Sequence, residues 1–112
     1  MTHISETRRR ILNHPDGPTM KQLDSWQGLG LLQPIHEPPD KSRWRGKLTW
    51  PLEEREVAVI MARLYRVGFK PGEAARLARI IVKRRERENP VRLRLDSGIT
   101  FEIHLPLRTP DD

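Results

Sequence analysis

A tight turn separates the first two helical segments and constrains how this chain begins to fold. The turn is the segment PDGP at residues 15–18, in which two prolines restrict the backbone and Asp-Gly favours a reversal. Directly after it, Thr19 predicts a helix N-cap, and Gln22 stands at the third helical position, where it completes a capping box. Residues 5–14 predict a preceding helix. The sequence therefore predicts helix, turn and capped helix in succession, which is the helix-turn-helix order.

The second helix has two chemically different faces. Met20, Leu23 and Trp26 (or Gln27) recur at helical spacing and predict its buried face. The residues of the opposite face are small, polar or basic, which suits a helix that enters the DNA major groove. These residues are Lys21, Gln22 and Ser25.

A proline-rich and basic segment follows the second helix. Residues 35–50, IHEPPDKSRWRGKLTW, predict an irregular or hairpin-like excursion. Alternate residues of an extended strand share a face, so Arg43, Arg45 and Lys47 would present one basic edge to phosphates or to a minor groove. A solvated charged loop is the alternative, and Trp44 is the tryptophan that we expect near a ligand. The predicted return into the core consists of Leu48, Trp50 and Leu52.

Two further helices carry apolar stripes. Pro51 predicts the first position of the third helix, and Gly68 predicts its C′ residue. Pro71 begins the fourth helix in the same way, and the helix ends at or before Asn89-Pro90. Since the stripes repeat every three or four residues, they predict a hydrophobic core rather than a cofactor site. They consist of Val57, Ile60, Met61, Leu64 and Tyr65 in the third helix and Ala74, Leu77, Ala78 and Ile81 in the fourth.

The pattern changes to strict alternation after residue 90, which predicts a β-hairpin over residues 91–105. Its turn is DSG, at residues 96–98. A lone two-stranded hairpin is marginal in water, so its apolar face needs a cover. That cover is the chain's own helical core, a second subunit, or a protein partner that docks on the face. The apolar residues are Val91, Leu93, Leu95, Ile99, Phe101, Ile103 and Leu105.

Charge and composition favour a polyanionic partner. The 112 residues carry a formal net charge of +6 and a pI of about 10.5, which favours nucleic acid or an anionic membrane surface. The chain has no cysteine, which excludes disulfides and thiolate-ligated zinc fingers. The sequence has no apolar stretch of transmembrane length and no apolar signal region. We therefore expect a cytoplasmic protein with no membrane partner.

The sequence predicts no enzyme, no cofactor and no metal site. The histidines lie far apart and lack metal-ligand spacing, and the serines lack the context of a nucleophile elbow. Gly28 and Gly30 lack the third glycine and the preceding strand of a phosphate loop. Glu53 and Glu54 are better explained by the helix dipole, which favours acidic residues in the first turn, than as a catalytic pair.

Two segments, taken in order, match the pattern of a known family. The first is MKQLDSW followed by GLLQP, at residues 20–26 and 30–34, and the second is LYRVGFKP, at residues 64–71. Between them, LTW at residues 48–50 stands at the end of a wing. Over residues 18–82 the chain resembles the winged-helix DNA-binding domain of the MerR family, and it is most similar to small actinobacterial or phage-type members that lack an effector domain.

The resemblance implies a fold that is mostly α with small β. That fold is a winged helix-turn-helix with four helices, a basic wing and a C-terminal β-hairpin. Residues 1–89 would form the DNA-binding domain, and residues 90–112 an accessory or oligomerisation element. Double-stranded DNA would be contacted by the recognition helix and the wing. The implied contacts are Thr19, Lys21, Gln22, Ser25, Arg43, Trp44, Arg45 and Lys47.

Three functional hypotheses remain open. The first is a sequence-specific transcriptional regulator on the nucleoid, most simply a repressor that occupies a promoter without a small-molecule effector. The second is a phage-type excisionase or architectural factor that bends DNA. The third is a protein-interaction module that docks through the apolar hairpin. Homodimerisation or cooperative self-association through residues 91–105 is a further alternative.

Overall fold

The computed structural model describes residues 6–37 and 47–105, which form four helices and four short strands. The helices are α1 (Glu6–Asn13), α2 (Met20–Gly28), α3 (Leu52–Arg66) and α4 (Pro71–Arg84). The strands are β1 (Ile35–Glu37), β2 (Lys47–Thr49), β3 (Val91–Arg94) and β4 (Thr100–Ile103). Strand β1 pairs with β2, and β3 pairs with β4, both antiparallel. The predicted class, mostly α with small β, is confirmed.

Local signals set the ends of α3 and α4. Gly68 has a φ of 111°, and the next amide, Phe69 N–H, donates to the carbonyl of Leu64 at 3.1 Å, as in a Schellman motif. Pro71 occupies the first position of α4. The prediction for Pro51 is wrong by one position. Its ψ of 156° keeps it extended, so it is the N-cap of α3 and the helix begins one residue later.

One hydrophobic core joins α3 and α4 to both ends of the described chain. The predicted stripes are buried with one exception, Tyr65, which is 42% exposed. Tyr65 lies at the margin of the core, where its ring packs edge-on against Trp26 with the centroids 5.6 Å apart. The prediction for Met20 is also wrong, since it is 53% exposed. Met20 begins α2 and lies at the flank of the buried face rather than in it.

The segment between α2 and α3 returns to the core through a short antiparallel pair. Its register places Lys47 of β2 opposite Glu37 of β1. The predicted hairpin is therefore confirmed at its base, and residues 38–46 lie outside the described residues. Trp50 follows β2, is 1% exposed, and donates its backbone N–H to Thr7 Oγ1 of α1 at 2.9 Å. The predicted return into the core is confirmed at Trp50.

The C-terminal hairpin forms as predicted and packs on helices of the same chain. Phe101 contacts Phe69 of the α3–α4 turn, with ring centroids 5.9 Å apart. Ile99, next to the hairpin turn, remains 62% exposed. The chain's own core therefore covers most of the apolar face, which removes the main reason to expect a docked partner there. The buried members of the face are Val91, Leu93, Ile103 and Leu105.

Candidate nucleic-acid interface

Helix α2 is anchored to the fold through one face. Leu23 is 0% exposed and Trp26 is 3% exposed, so both side chains lie in the core. On the flank of the helix, Asp24 forms an ion pair with Arg8 of α1. These contacts fix which side of α2 faces solvent, and that orientation decides which side chains a ligand can reach.

The turn that precedes α2 is held by an arginine from α3. Arg66 donates from Nη1 to the carbonyl of Asp16 at 2.9 Å and from Nη2 to the carbonyl of Gly17 at 2.7 Å. The amide of Gly17 donates to the carbonyl of His14 at 3.0 Å. Together these bonds fix the angle between α1 and α2. A helix-turn-helix depends on that angle to present its second helix to a groove.

The solvent face of α2 is a stripe of small and basic residues. Lys21, Ser25 and Gly28 follow one another at intervals of four and three residues, and all are exposed, so they share one face of the helix. A Cβ added at Gly28 would meet no described atom within 4 Å. Thr19 is exposed at the N-terminal end, where backbone N–H groups favour an anion. This stripe allows a partner to approach the helix backbone closely, with one ammonium group available to it.

Gln22 differs from its neighbours because its side chain is used locally. Gln22 N–H donates to Thr19 Oγ1 at 3.1 Å, and Gln22 Oε1 accepts from Thr19 N–H at 3.0 Å. The predicted capping box is thus confirmed. A glutamine reads adenine with both its amide oxygen and its amino group. While the box is closed, the Thr19 amide uses one lone pair of Gln22 Oε1, so the Nε2 amino group and the second lone pair of the oxygen remain for a base.

Replacing Gln22 with Glu separates capping from base contact. A glutamate at this position retains the capping box and suits the helix dipole, so we expect an unchanged or higher thermal midpoint by circular dichroism. The carboxylate has no amino group and repels phosphates, so affinity for a preferred duplex should fall by about tenfold or more, as measured by fluorescence anisotropy. Thr19→Ala, which opens the box, should instead cost about 1 kcal/mol of stability. Unchanged affinity in Gln22→Glu would mean that Gln22 is a cap and nothing else.

The remaining predicted contacts belong to the segment between β1 and β2. The backbone of Lys47 begins β2, opposite Glu37. Arg43, Trp44 and Arg45 lie outside the described residues. Among the predicted wing contacts, the structure therefore places Lys47 alone, at the base of a hairpin that contacts α1.

A carboxylate and a guanidinium tie the segment between α2 and β1 to the helical core. Arg79 of α4 donates from Nη1 to Glu54 Oε1 at 2.8 Å and from Nη2 to Glu54 Oε2 at 2.9 Å. Arg79 Nη2 also donates to the carbonyl of Leu31 at 2.8 Å. Glu54 Oε2 in turn accepts a hydrogen bond from the backbone N–H of Gln33 at 2.7 Å. We call this cluster the 54–79 clamp. It binds the backbone carbonyl of Leu31 and the backbone amide of Gln33, on either side of Leu32, whose side chain is fully buried.

The surroundings of Glu54 keep its carboxylate charged. Burial alone would raise the pKa of this carboxyl. The hydrogen bonds from Arg79 and from the Gln33 amide, together with the charge of Arg79, outweigh that effect and lower the pKa below its ordinary value. The hydrogen bond to Glu54 raises the pKa of Arg79, against the opposing effect of its own burial. Both groups are therefore ionised at neutral pH, and the clamp is a charged pair.

The sequence patterns did not predict three features of this surface. Gly28 joins the exposed stripe, and its spacing of seven residues from Lys21 is the signal that could have identified it. Met20 adds an exposed thioether beside Lys21, which its place at the first helical position could have indicated. The 54–79 clamp has no local signal, because its partners are 25 residues apart in the chain.

Similarity to other proteins adds no assignment to this surface. Comparisons with protein-family models, with curated proteins and with solved structures found no match to this chain. Within residues 6–37 and 47–105, no group of three or more acidic, histidine or cysteine side chains could hold a metal ion. None of the helices in the same part of the chain is long and apolar enough to cross a membrane. The assignment of this surface as a candidate interface therefore depends on its geometry and charge.

Proposed function

We propose that this chain is a sequence-specific double-stranded DNA-binding protein of the MerR-like winged helix-turn-helix type, which regulates transcription as a repressor. One observation carries the proposal. A capped helix presents an exposed stripe of Lys21, Ser25 and Gly28, and an antiparallel strand pair follows it, with a basic sequence between the two strands. The net charge of +6 and the resemblance over residues 18–82 support the same proposal.

In this proposal α2 reads bases from the major groove. The ammonium group of Lys21 donates to the O6 and N7 acceptors of guanine, and the Gln22 Nε2 amino group donates to a base acceptor. The Ser25 hydroxyl donates to or accepts from a base edge. Gly28 lets the end of the helix approach the groove without a side chain between them. The capped N-terminus at Thr19 lies against a phosphate, where the helix dipole favours negative charge.

The wing supplies affinity rather than sequence information. In this proposal Arg43, Arg45 and Lys47 contact flanking phosphates or the minor groove, and Trp44 also contacts the DNA. Contacts of this kind release condensed counterions, so each one contributes about 0.9 to the slope of log affinity against log salt on duplex DNA. The helix and the wing thus have different signatures in a binding experiment.

Selection of bound sites from random duplex DNA tests the proposal. We expect a clear consensus that binds at least about a thousandfold more tightly than random DNA. Lys21→Ala should lower that ratio by an amount equivalent to one base contact, about 1–3 kcal/mol of binding free energy. Arg43→Ala with Arg45→Ala should instead weaken binding to all sequences and lower the salt slope by about two units.

An exposed lysine elsewhere provides the matched control. Lys83→Ala, at the end of α4, removes the same charge from a different surface and should leave the consensus unchanged. The proposal fails if no consensus emerges and binding to random DNA disappears with modest salt. The assignment of roles fails if the Lys21 and wing variants both bind like the parent.

A further inference from the structure

The 54–79 clamp binds the linker between helix α2 and strand β1. The proposed function assigns DNA contacts to the helix on one side of this linker and to the wing on the other. Helix α2 ends at Gly28 and strand β1 begins at Ile35, so six residues link the helix to the wing. Within this linker the clamp holds one carbonyl, that of Leu31, and one amide, that of Gln33. These two backbone groups belong to the same cluster of hydrogen bonds, so the linker is fixed in both position and orientation.

Given the proposed function, on which this inference rests, we propose that Glu54 and Arg79 are positioning residues that set the distance and angle between the recognition helix α2 and the wing. Neither residue needs to contact DNA. Two parallel N–H···O bonds give the pair a defined geometry that a single contact would not. Because the linker is bound to that pair, the relative placement of the two DNA-binding parts follows from it.

A second ion pair shows what the clamp adds beyond joining two helices. Arg85, the C-cap residue of α4, also pairs with Glu56 of α3, and both side chains are nearly buried. The side-chain bonds to the Leu31 carbonyl and to the Gln33 backbone amide come from Arg79 and Glu54. Arg79 is more exposed than Arg85, with 43% of its side chain accessible against 11%, whereas Glu54 and Glu56 are equally covered, at 12% accessible. Solvent on the arginine side weakens an ion pair, so what distinguishes the clamp from the second pair is its bonds to the backbone of the linker.

Distance measurement in the DNA-free protein tests the positioning role directly. The chain has no cysteine, so Lys21→Cys and Ile35→Cys introduce two nitroxide labels, one on α2 and one on β1, at exposed positions. We expect one narrow distance distribution by double electron–electron resonance in the parent. Glu54→Gln and Arg79→Lys should broaden or shift it, and Glu56→Gln should not. Identical distributions in the parent and both clamp variants would overturn the inference.

DNA binding by the same variants, without labels, tests the consequence. We expect the ratio of affinity for the selected site to affinity for random duplex to fall about tenfold in Glu54→Gln and Arg79→Lys, the value of roughly one base contact. The salt slope on random DNA should stay at the parent value, because the phosphate contacts remain. An equal loss in Glu56→Gln would also overturn the inference, since the effect would then be general. If the parent selects no consensus, the proposed function fails, while the distance measurement still decides whether the clamp positions the wing.

Discussion

Replacing Trp50 with alanine should lower the free energy of unfolding by about 3–5 kcal/mol, the usual cost of deleting a large buried aromatic side chain. Trp50 is 1% exposed and is the largest of the fully buried side chains. A domain of this size has about 5–15 kcal/mol of stability in total, so the variant should be close to unfolding at room temperature. Urea denaturation followed by far-ultraviolet circular dichroism measures the loss without relying on tryptophan fluorescence.

Two further variants separate the packing of Trp50 from its backbone bond. Trp50→Phe keeps an aromatic ring in the core and should lose clearly less stability than Trp50→Ala. Thr7→Val removes the hydroxyl that accepts the Trp50 amide and should cost about 1 kcal/mol, the usual net value of one hydrogen bond. A Trp50→Ala midpoint equal to that of the parent would show that the β1–β2 pair is not anchored through this side chain.

The anchoring of Trp50 shows how the β1–β2 pair depends on the core. Strand β2 has three residues, and a pair of strands this short is not stable alone. Trp50 and its bond to Thr7 attach β2 to α1, and the 54–79 clamp attaches the linker that enters β1 at the same end of the pair, where Ile35 lies opposite Thr49. Each strand of the β1–β2 pair is therefore attached to the core at its open end by contacts that lie outside the two strands.

Local signals in the sequence predicted those parts of the fold that neighbouring residues determine. The box formed by Thr19 and Gln22, the turn at Gly68 and the start of α4 at Pro71 each depend on residues within one helical turn. The alternation in residues 91–105 predicted the hairpin for the same reason. Such elements form where the sequence indicates because the groups that stabilise them are adjacent in the chain.

Contacts between distant segments account for what the sequence did not reveal. Periodicity correctly predicted the phase of each apolar stripe, but it could not tell where a stripe reaches the margin of the core, as it does at Tyr65. The helix dipole accounted for Glu54, yet in the structure its carboxylate binds Arg79 and the linker. Arg66 holds a turn 49 to 50 residues away. These pairings depend on how α3 packs against its neighbours, which no local pattern encodes.

Replacing Gly17 with alanine should destabilise the protein by about 1–3 kcal/mol, as overpacking does in a filled site, and should also weaken specific DNA binding. A Cβ at this position would collide with the carbonyl oxygen of Ile11 and would lie 3.2 Å from His14 Cβ. Because the Ile11 oxygen is a backbone atom, the collision can be removed only by a shift of the backbone at the end of α1 or in the turn. Either shift disturbs the carbonyl that Arg66 binds, and with it the angle at which α2 leaves the turn.

A glycine in open surroundings gives the matched control for this prediction. Gly72 lies in the first turn of α4, and a Cβ there would meet no described atom within 4 Å. Gly72→Ala should therefore stabilise the protein by about 0.5–1 kcal/mol, because alanine loses less backbone entropy in a helix. Urea midpoints of both variants, measured beside their affinity for the selected duplex, give the comparison. If Gly17→Ala behaves like Gly72→Ala in both measurements, the α1–α2 turn is not constrained by close packing, and the angle of α2 must be set by its buried face alone.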